Sequence, residues 1–282
     1  MNRQQQLAAI FADTQEMIAS TPELKEASRR SAEATRFYDE DEWPALGEAG
    51  RAGAVRVSER RSFEAARVIA EEFPGARIAV HNFASSTHPG GGVANGASAQ
   101  EESLCRCSTL YDSLDQRRMW DAYYLPNRGR GDALATDACI WTSDVVICKS
   151  DEALPQRLPA DQWLDVDVVT CAAPNLRGTT SNLLNPSASR TDGVPLTRIY
   201  DIHRQRALHL LTVAAAEGVD CLVLGAFGCG AFRNDPYLVA NAWREPIERL
   251  RGHFDLIEFA VFHMPYETEN HEAFRDEFAD LG

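Results

Sequence analysis

Two segments of this 282-residue chain concentrate residue types that can do chemistry. The first contains three consecutive glycines and, after seven further residues, a glutamine and two glutamates: Gly90, Gly91, Gly92, Gln100, Glu101 and Glu102. Successive glycines cost conformational entropy and pack no side chain, so they indicate either a ligand lying close to the backbone or a tight turn. A glutamate placed beside such a loop can serve as a general acid and base.

The two glutamates lie at the start of a predicted helix. Ser98 and Glu101 have the spacing of a capping box, in which each side chain bonds to the other residue's backbone N–H. That box does not account for Glu102, at a position where an apolar side chain is usual. Adjacent helical side chains point about 100° apart. The pair therefore cannot flank a glycosidic bond, and one carboxyl group must act as both acid and base. Because a helix N-terminus lowers a carboxyl pKa, burial under substrate has to raise it.

The second segment, residues 225–235, is also rich in glycine and has the sequence GAFGCGAFRND. It follows an apolar strand and precedes a helix, a context in which backbone amides bind phosphate. Its G-x-x-G-x-G order differs from the dinucleotide fingerprint and argues against a Rossmann oxidoreductase. Phe227 and Phe232 belong either to the core or to a purine-stacking site. A Cys–His nucleophile at Cys229 has no local signature in its favour.

No metal site is indicated. We interpret the histidines as core or surface residues without metal-ligand spacing: His81, His88, His203, His209 and His263. Cys105 and Cys107 lack a second Cys/His pair, which argues against structural zinc. We expect neither a metal nor a cofactor.

The elements that must position these loops alternate along the chain. Strands are predicted at residues 54–57, 78–83, 139–148, 166–172, 219–224 and 257–263. Helices are predicted at residues 62–72, from about 99, at 196–217 and at 236–251, and a long loop at 175–192. The alternation favours an α/β fold with a parallel or mixed sheet between helices. Ligands of such sheets bind at the carboxyl ends of strands, where both glycine-rich segments lie.

We expect a single domain over residues 1–282, because no linker or repeat interrupts the chain. Helical patterning over residues 3–36 predicts two helices, followed by an acidic loop at 39–42. Residues 1–53 would thus form a helical N-terminal extension packed on the domain.

Composition excludes several classes of protein. A hydrophobic content of 44% is that of a globular chain rather than a disordered one. With 28 basic and 42 acidic residues the net charge is −14, which argues against general nucleic-acid binding and against an anionic membrane surface. The seven cysteines lie mostly in apolar runs and indicate reduced thiols. We expect a cytoplasmic protein.

The two segments together resemble the poly(ADP-ribose) glycohydrolases. The glycine run and the following Gln-Glu-Glu resemble the GGG-x(6–8)-QEE signature of that family, and residues 103–111 resemble the sequence after it in the compact bacterial branch. Residues 225–235 resemble the family's diphosphate-binding loop. The resemblance covers residues 54–263 and implies a macrodomain-like mixed sheet between helices, with ADP-ribose in a cleft.

The family's mechanism can be carried onto these positions. By resemblance, Glu102 protonates the departing ribose hydroxyl and then activates water, while Glu101 helps to hold the ribose hydroxyls. The implied binding residues are Gly90, Gly91, Gly92, Val93, Asn82, Gln100, Gly228, Cys229, Gly230, Ala231, Phe232 and Phe227. Phe232 is the first candidate for adenine stacking and Phe227 the second. Many relatives have Asn where this chain has Ser85, so an Asn contact to the distal ribose is not carried over there.

Two other functions fit the same residues: a non-catalytic ADP-ribose reader and a hydrolase of mono-ADP-ribosyl linkages. Two glutamates disfavour the reader, which needs no buried general acid. The expected partners are poly(ADP-ribose), ADP-ribose and ADP-ribosylated proteins, and the resemblance implies a role in the DNA damage response.

Overall fold

The computed structural model describes residues 1–177 and 193–282. The long loop predicted at 175–192 falls outside the described residues from residue 178 onward.

Seven strands form one mixed sheet in the order β1-β4-β5-β3-β6-β7-β2. They are β1 (Arg36–Tyr38), β2 (Ala54–Ser58), β3 (Ile78–Phe83), β4 (Cys139–Ile147), β5 (Leu164–Cys171), β6 (Cys221–Leu224) and β7 (Leu256–Ala260). The five strands from β5 to β2 run parallel, whereas β4 is antiparallel to both β5 and β1. The parallel strands bring the loops after β3, β6 and β7 to one edge of the sheet.

The described α-helices lie between and around these strands. They are α1 (Arg3–Ser20), α2 (Pro22–Ala34), α3 (Ser62–Glu72), α4 (Gln100–Cys107), α5 (Leu110–Leu114), α6 (Arg117–Met119), α7 (Leu125–Gly129), α8 (Leu196–Ala216), α9 (Pro236–Leu250) and α10 (Glu269–Phe278). A π-helical turn, Trp120–Tyr124, joins α6 to α7. In α9, Asp235 caps the N-terminus by accepting from the backbone N–H of Leu238.

The core lies on both faces of the sheet because successive strand residues point to opposite sides. In β3, Ala79 packs with the cluster of α8, α9 and α10, while Ile78 and Val80 pack with the cluster of α3, α4 and α5. The predicted α/β fold with a mixed sheet sandwiched between helices is confirmed. Such a sheet, buried on both faces, explains why the strands read as continuous apolar runs.

The predicted N-terminal extension, residues 1–53, contains the two expected helices and also a strand of the sheet. The chain after α2 enters the sheet as β1, a strand too short for the sequence pattern to reveal. Helices α1 and α2 share a small cluster with β4 that includes Met17, Leu24 and Val146.

Helix α1 also braces the glycine-rich loop and α4. The Gln4 amide donates to the Asn95 carbonyl over 2.9 Å, and the Thr14 hydroxyl donates to the Arg106 carbonyl over 2.6 Å. The buried Lys149 ammonium lies 2.7 Å from the Asp13 carboxylate. The N-terminal segment is therefore joined to the elements that carry the chemistry.

Among the described residues, no helix is both long enough and apolar enough to cross a lipid bilayer.

Because α1 packs directly against Gly96 of the glycine-rich loop, we expect a methyl group added at Gly96 to lower the stability of the fold strongly. Gly96 has φ +74°, and a Cβ atom there would overlap the Gln4 carbonyl of α1. Gly75 has φ +83° but open space around it. Gly75→Ala should cost only the left-handed backbone strain, about 1–2 kcal/mol, and Gly96→Ala roughly 3 kcal/mol or more. Denaturant unfolding of both variants measures the difference, and equal losses would contradict the packing of α1 described here.

Candidate active site

A cleft of about 840 Å³ runs along the carboxyl edge of the sheet. Its walls include residues from the segments 83–104 after β3, 226–232 after β6 and 260–262 at the end of β7. Both glycine-rich segments singled out in the sequence therefore meet in one cleft, at the strand ends where α/β sheets bind ligands.

The glycine run is a tight turn that lies against the protein's own carboxyl groups. Gly90 and Gly91 have φ values of +63° and +56°, a conformation that favours glycine. A Cβ atom on Gly91 would lie 2.5 Å from Oε1 of Glu102 and 3.1 Å from Oε2 of Glu101. The chain thus needs glycine at 91 so that its backbone can lie directly against the glutamate pair.

The expected capping box between Ser98 and Glu101 is wrong. Helix α4 begins at Gln100 with Ala99 as its N-cap, and no side chain caps it. The carboxylate of Glu101 turns into the loop and accepts from the backbone N–H of Ser85 over 2.7 Å. The hydrogen bond from Ser85 therefore takes the place of the bond that Glu101 would make in a capping box.

Glu102 is held at one oxygen, while the other has no partner. Its Oε1 accepts from the backbone N–H of Gly92 over 2.9 Å. Its Oε2 is buried and has no hydrogen-bond partner in residues 1–177 and 193–282. The residue is 8% exposed and lines the cleft. This arrangement orients the carboxyl group and leaves one of its oxygens without a hydrogen bond among the described residues.

Glu101 is the more deeply buried of the pair, with 2% of its surface exposed. Burial, and then the charge of Glu102, raise the pKa of Glu101 well above its ordinary value. Hydrogen bonds from Ser85, Asn82 and Gly90 act in the opposite direction but are smaller effects. For this residue, burial outweighs the preference of the helix N-terminus for an anion.

Gln100 joins α4 to β3. Its amide oxygen accepts from the Phe83 N–H over 2.9 Å, and its nitrogen donates to the His81 carbonyl over 2.7 Å and to the Ser62 hydroxyl over 3.0 Å. Although Gln100 lines the cleft, these bonds fix where the first turn of α4 sits, and with it the two glutamates that follow.

Three residues expected to bind ligand lie behind the cleft wall rather than in it. Asn82 is fully buried and donates to the Thr170 hydroxyl over 3.2 Å. Val93 is 1% exposed and packs in the core, and Gly90 is buried against Tyr111. The side chains of Asn82 and Val93 face the interior, so the structure does not bring these two expected binding residues into the cleft wall. Asn82 instead hydrogen-bonds to Glu101, which lowers the pKa of that carboxyl group.

The second glycine-rich segment contributes small, uncharged residues to the cleft wall. Gly228, Gly230 and Ala231 line it, and in the described part of the chain their N–H groups have no acceptor. Beneath the loop, the Asn234 amide donates to the carbonyls of Pro174 and Gly228 over 2.8 and 3.1 Å. An anion bound by such amides needs no basic side chain.

The two phenylalanines of this segment have different surroundings. Phe232 lines the cleft, with the Arg177 guanidinium 5.6 Å from its ring centroid. Phe227 is fully buried, and its ring centroid lies 4.6 Å from that of His81 and 6.1 Å from that of Trp243. The ring of Phe227 therefore belongs to the core beneath the loop, and of the two expected stacking residues only Phe232 lines the cleft.

Cys229 also lies outside the cleft lining, packed against the core. Burial, and then the charge of Asp235, raise the pKa of the Cys229 thiol. A raised pKa disfavours the thiolate that a nucleophile or metal ligand requires. The residue's side chain supports the loop, and the absence of a Cys–His signature agrees with this environment.

One pair of cleft residues escaped the sequence analysis. The Arg61 guanidinium lies 3.8 Å from the ring centroid of Phe262, and both residues line the cleft. Phe262 follows β7 as the two glycine-rich segments follow β3 and β6. Its position after an apolar strand at the same sheet edge was a usable signal.

Comparison with known proteins gives this cleft a context. A family model described as the catalytic domain of microbial-type PARG matches residues 6–150. The crystal structure of poly(ADP-ribose) glycohydrolase (PARG) from Thermomonospora curvata is 30% identical, with a TM-score of 0.80 over 96% of this chain and 99% of that chain. A structure of the same enzyme bound to the inhibitor ADP-HPD is 31% identical with the same coverage.

A second bacterial structure agrees. PARG from Deinococcus radiodurans in complex with ADP-ribose is 33% identical, with a TM-score of 0.76 over 90% of this chain and 97% of that chain. No curated protein matches significantly. Fold and cleft together define a macrodomain-like α/β protein. The chain belongs to the microbial-type PARG family, in its compact bacterial form.

The buried state of Glu101 predicts a pH-dependent stability. Its raised pKa means that the folded chain keeps a proton that the unfolded chain releases above the ordinary value of 4.5. Wild-type stability should therefore fall, relative to Glu101→Gln, as the pH rises from about 4 to about 8. Thermal unfolding across this range measures the difference. The exposed Glu48→Gln serves as the control for loss of one negative charge, and a Glu101→Gln curve parallel to wild type would contradict the assignment.

Proposed function

We propose that this protein hydrolyses the ribose–ribose O-glycosidic bonds of poly(ADP-ribose) and releases ADP-ribose. The observation that carries the proposal is the buried glutamate pair, held against the glycine turn in a cleft that is also lined by Gly228, Gly230 and Ala231 of the second glycine-rich segment. The similar T. curvata and D. radiodurans enzymes, in structures with an inhibitor and with ADP-ribose, support the same activity. The whole chain, residues 1–282, acts as a single catalytic domain.

In this proposal Glu102 is both general acid and general base. Its Oε1 is fixed by the Gly92 amide, so Oε2 is the oxygen that meets the scissile bond. The protonated carboxyl group donates to the departing ribose oxygen as an oxocarbenium-like state forms. The resulting carboxylate then takes a proton from the attacking water. Glu101, which is buried beside it, hydrogen-bonds the ribose hydroxyls and holds the sugar in place.

The remainder of ADP-ribose fits the other features of the cleft. The amides of Gly228, Gly230 and Ala231 bind the diphosphate, and the backbone of Gly91 and Gly92 lies beside the diphosphate and the ribose. The ring of Phe232 stacks on adenine, supported by its position in the cleft wall. Stacking on an aromatic ring and bonding to amides both select this ligand without a basic patch.

The biological setting is part of the proposal. A cytoplasmic location is supported by the seven cysteines, all of which are free thiols. The polymer attached to ADP-ribosylated proteins is the natural source of substrate, and its removal places the enzyme in the DNA damage response.

Replacing Glu102 by glutamine should separate catalysis from binding. Loss of proton transfer should lower the rate of ADP-ribose release by about 10²–10⁴-fold. Affinity for ADP-ribose should change little, because the amide keeps the carboxyl group's shape. Chromatography of products from purified poly(ADP-ribose) measures the rate, and calorimetry measures the affinity. The exposed Glu48→Gln should retain wild-type values of both.

Other outcomes of that experiment favour other functions. A Glu102→Gln protein with near wild-type turnover would contradict the role of Glu102. An intact protein that binds ADP-ribose but releases none from the polymer would be a reader. If the protein released ADP-ribose from mono-ADP-ribosylated protein but not from the polymer, it would be a hydrolase of mono-ADP-ribosyl linkages.

The proposed binding mode also predicts a weak dependence on salt. Three arginines and four acidic residues line the described part of the cleft, so it has no excess of positive charge. A protein that neutralises many phosphates loses about 10³–10⁵ in affinity between about 50 and about 200 mM salt. ADP-ribose affinity here should fall by less than about tenfold over that range. Calorimetric titrations at several salt concentrations measure the slope, and a steep slope would contradict binding through amides and stacking.

A further inference from the structure

Three potential metal ligands come together beside the cleft, on elements far apart in sequence. Glu59 directly follows β2, His263 lies just beyond β7, and His271 lies in the first turn of α10. Because β2 and β7 are paired in parallel up to Ser58 and Ala260, the residues after them leave the sheet side by side. The ligand atoms of the three residues all lie within 4.8 Å of one another.

The hydrogen bonding of His263 leaves one ring nitrogen directed at this group. Its Nδ1 lies 3.0 Å from the Met264 carbonyl, to which it can only donate. In the neutral ring, Nε2 therefore carries a lone pair. Nε2 is buried and has no hydrogen-bond partner in the described residues. A backbone carbonyl on the opposite ring nitrogen is the usual partner of a metal-binding histidine.

The spacing suits a bound cation better than a direct ion pair. Nε2 of His263 lies 3.7 Å from Oε1 of Glu59, beyond the N–H···O range of about 2.7–3.2 Å. Two bonds of about 2.0–2.1 Å at a tetrahedral angle span about 3.4 Å. A small cation between the two atoms would need only a modest movement of Glu59, whose side chain is 71% exposed and free to adjust.

We propose that Glu59, His263 and His271 form a binding site for a zinc-class divalent cation. Two imidazoles and one carboxylate are donors typical of zinc, and solvent on the exposed side of Glu59 would supply the fourth ligand. Magnesium and calcium prefer sites made only of oxygen ligands.

The charged residues nearby are already engaged with other partners. The Arg61 guanidinium stacks on Phe262, Arg60 lies 3.3 Å from the Glu258 carboxylate, and Arg275 pairs with Asp276 over 2.8 Å. The Glu59 carboxylate is thus left to the two histidines. The group has no local sequence signature, because Glu59 is far from the two histidines in the chain.

The proposed site would fix one wall of the cleft. Phe262 immediately precedes His263, and Asn270, which also lines the cleft, immediately precedes His271. A cation that joins the three ligands would tie the segment after β7 to β2 and to α10. Its role is positional and separate from the chemistry at Glu102.

Metal titration of the full-length chain tests the proposal without reference to enzymatic activity. Chelator-treated protein titrated calorimetrically with ZnCl₂ should bind one ion per chain, and MgCl₂ should bind far more weakly. His263→Ala and His271→Ala should each weaken zinc binding by at least about 100-fold, since even loss of an outer partner costs about 10–100-fold. His253→Ala, a histidine outside the group, should bind as wild type does.

Folding controls keep the result interpretable. Far-UV circular dichroism and the thermal midpoint without metal should match wild type for each variant, with His263→Asn replacing His263→Ala if the latter unfolds. Cobalt(II) should give the intense visible absorption of a four-coordinate site in wild type and in His253→Ala only. No zinc binding by wild type, equal affinity in the His263 and His271 variants, or equal affinity for magnesium would overturn the proposal.

Discussion

The burial of two neighbouring carboxyl groups at the start of α4 is the constraint on which the rest of the cleft depends. Burial removes hydration from Glu101, and the charge of Glu102 adds to the cost of ionising it, so the pKa of Glu101 is raised. The compensation comes from backbone N–H groups of Ser85 and Gly92, which reach the carboxylates only because the chain turns tightly through Gly91. Gln100 clamps the helix start to β3 so that these distances hold. Turn, helix start and strand end thus form one unit.

The same logic explains how an acidic protein can bind an anionic ligand. The net charge of −14 is spread over the molecule, while the wall proposed to bind phosphate contains the uncharged residues Gly228, Gly230 and Ala231. Backbone dipoles act over short distances, so they attract a ligand already in the cleft but do not gather polyanions from solution. Similarity to the T. curvata and D. radiodurans enzymes extends over nearly the whole chain at about one-third identity.

Sequence patterns predicted the helices and strands that have a clear local periodicity. They did not predict side-chain contacts that depend on packing between distant segments. Helix α3 and strand β3 begin and end at the predicted residues. The helix is followed by Pro74-Gly75, which ends it, and the strand is a continuous apolar run that is buried in the sheet. Both glycine-rich segments were placed correctly at the strand ends. The capping box was wrong, and Phe227 lies in the core rather than in the cleft wall, for a common reason: competing contacts, from Ser85 in one case and from the aromatic core in the other, come from other segments of the chain. Strand β1, with only three residues, is too short to produce a recognisable pattern, whereas Phe262 could have been found from its position after an apolar strand.

The brace between α1 and the glycine-rich loop bears on the order in which the molecule is completed during synthesis. Gln4 and Asn95 are 91 residues apart, and the Lys149 ammonium bonds to the Ile10 carbonyl across 139 residues. Helix α1 is therefore synthesised well before the residues after β4 that bind it. Closing such long loops is entropically slow, and the interval exposes the apolar face of α1. Between translation of α1 and translation of residue 149, this apolar face has no partner from the glycine-rich loop or from the segment after β4.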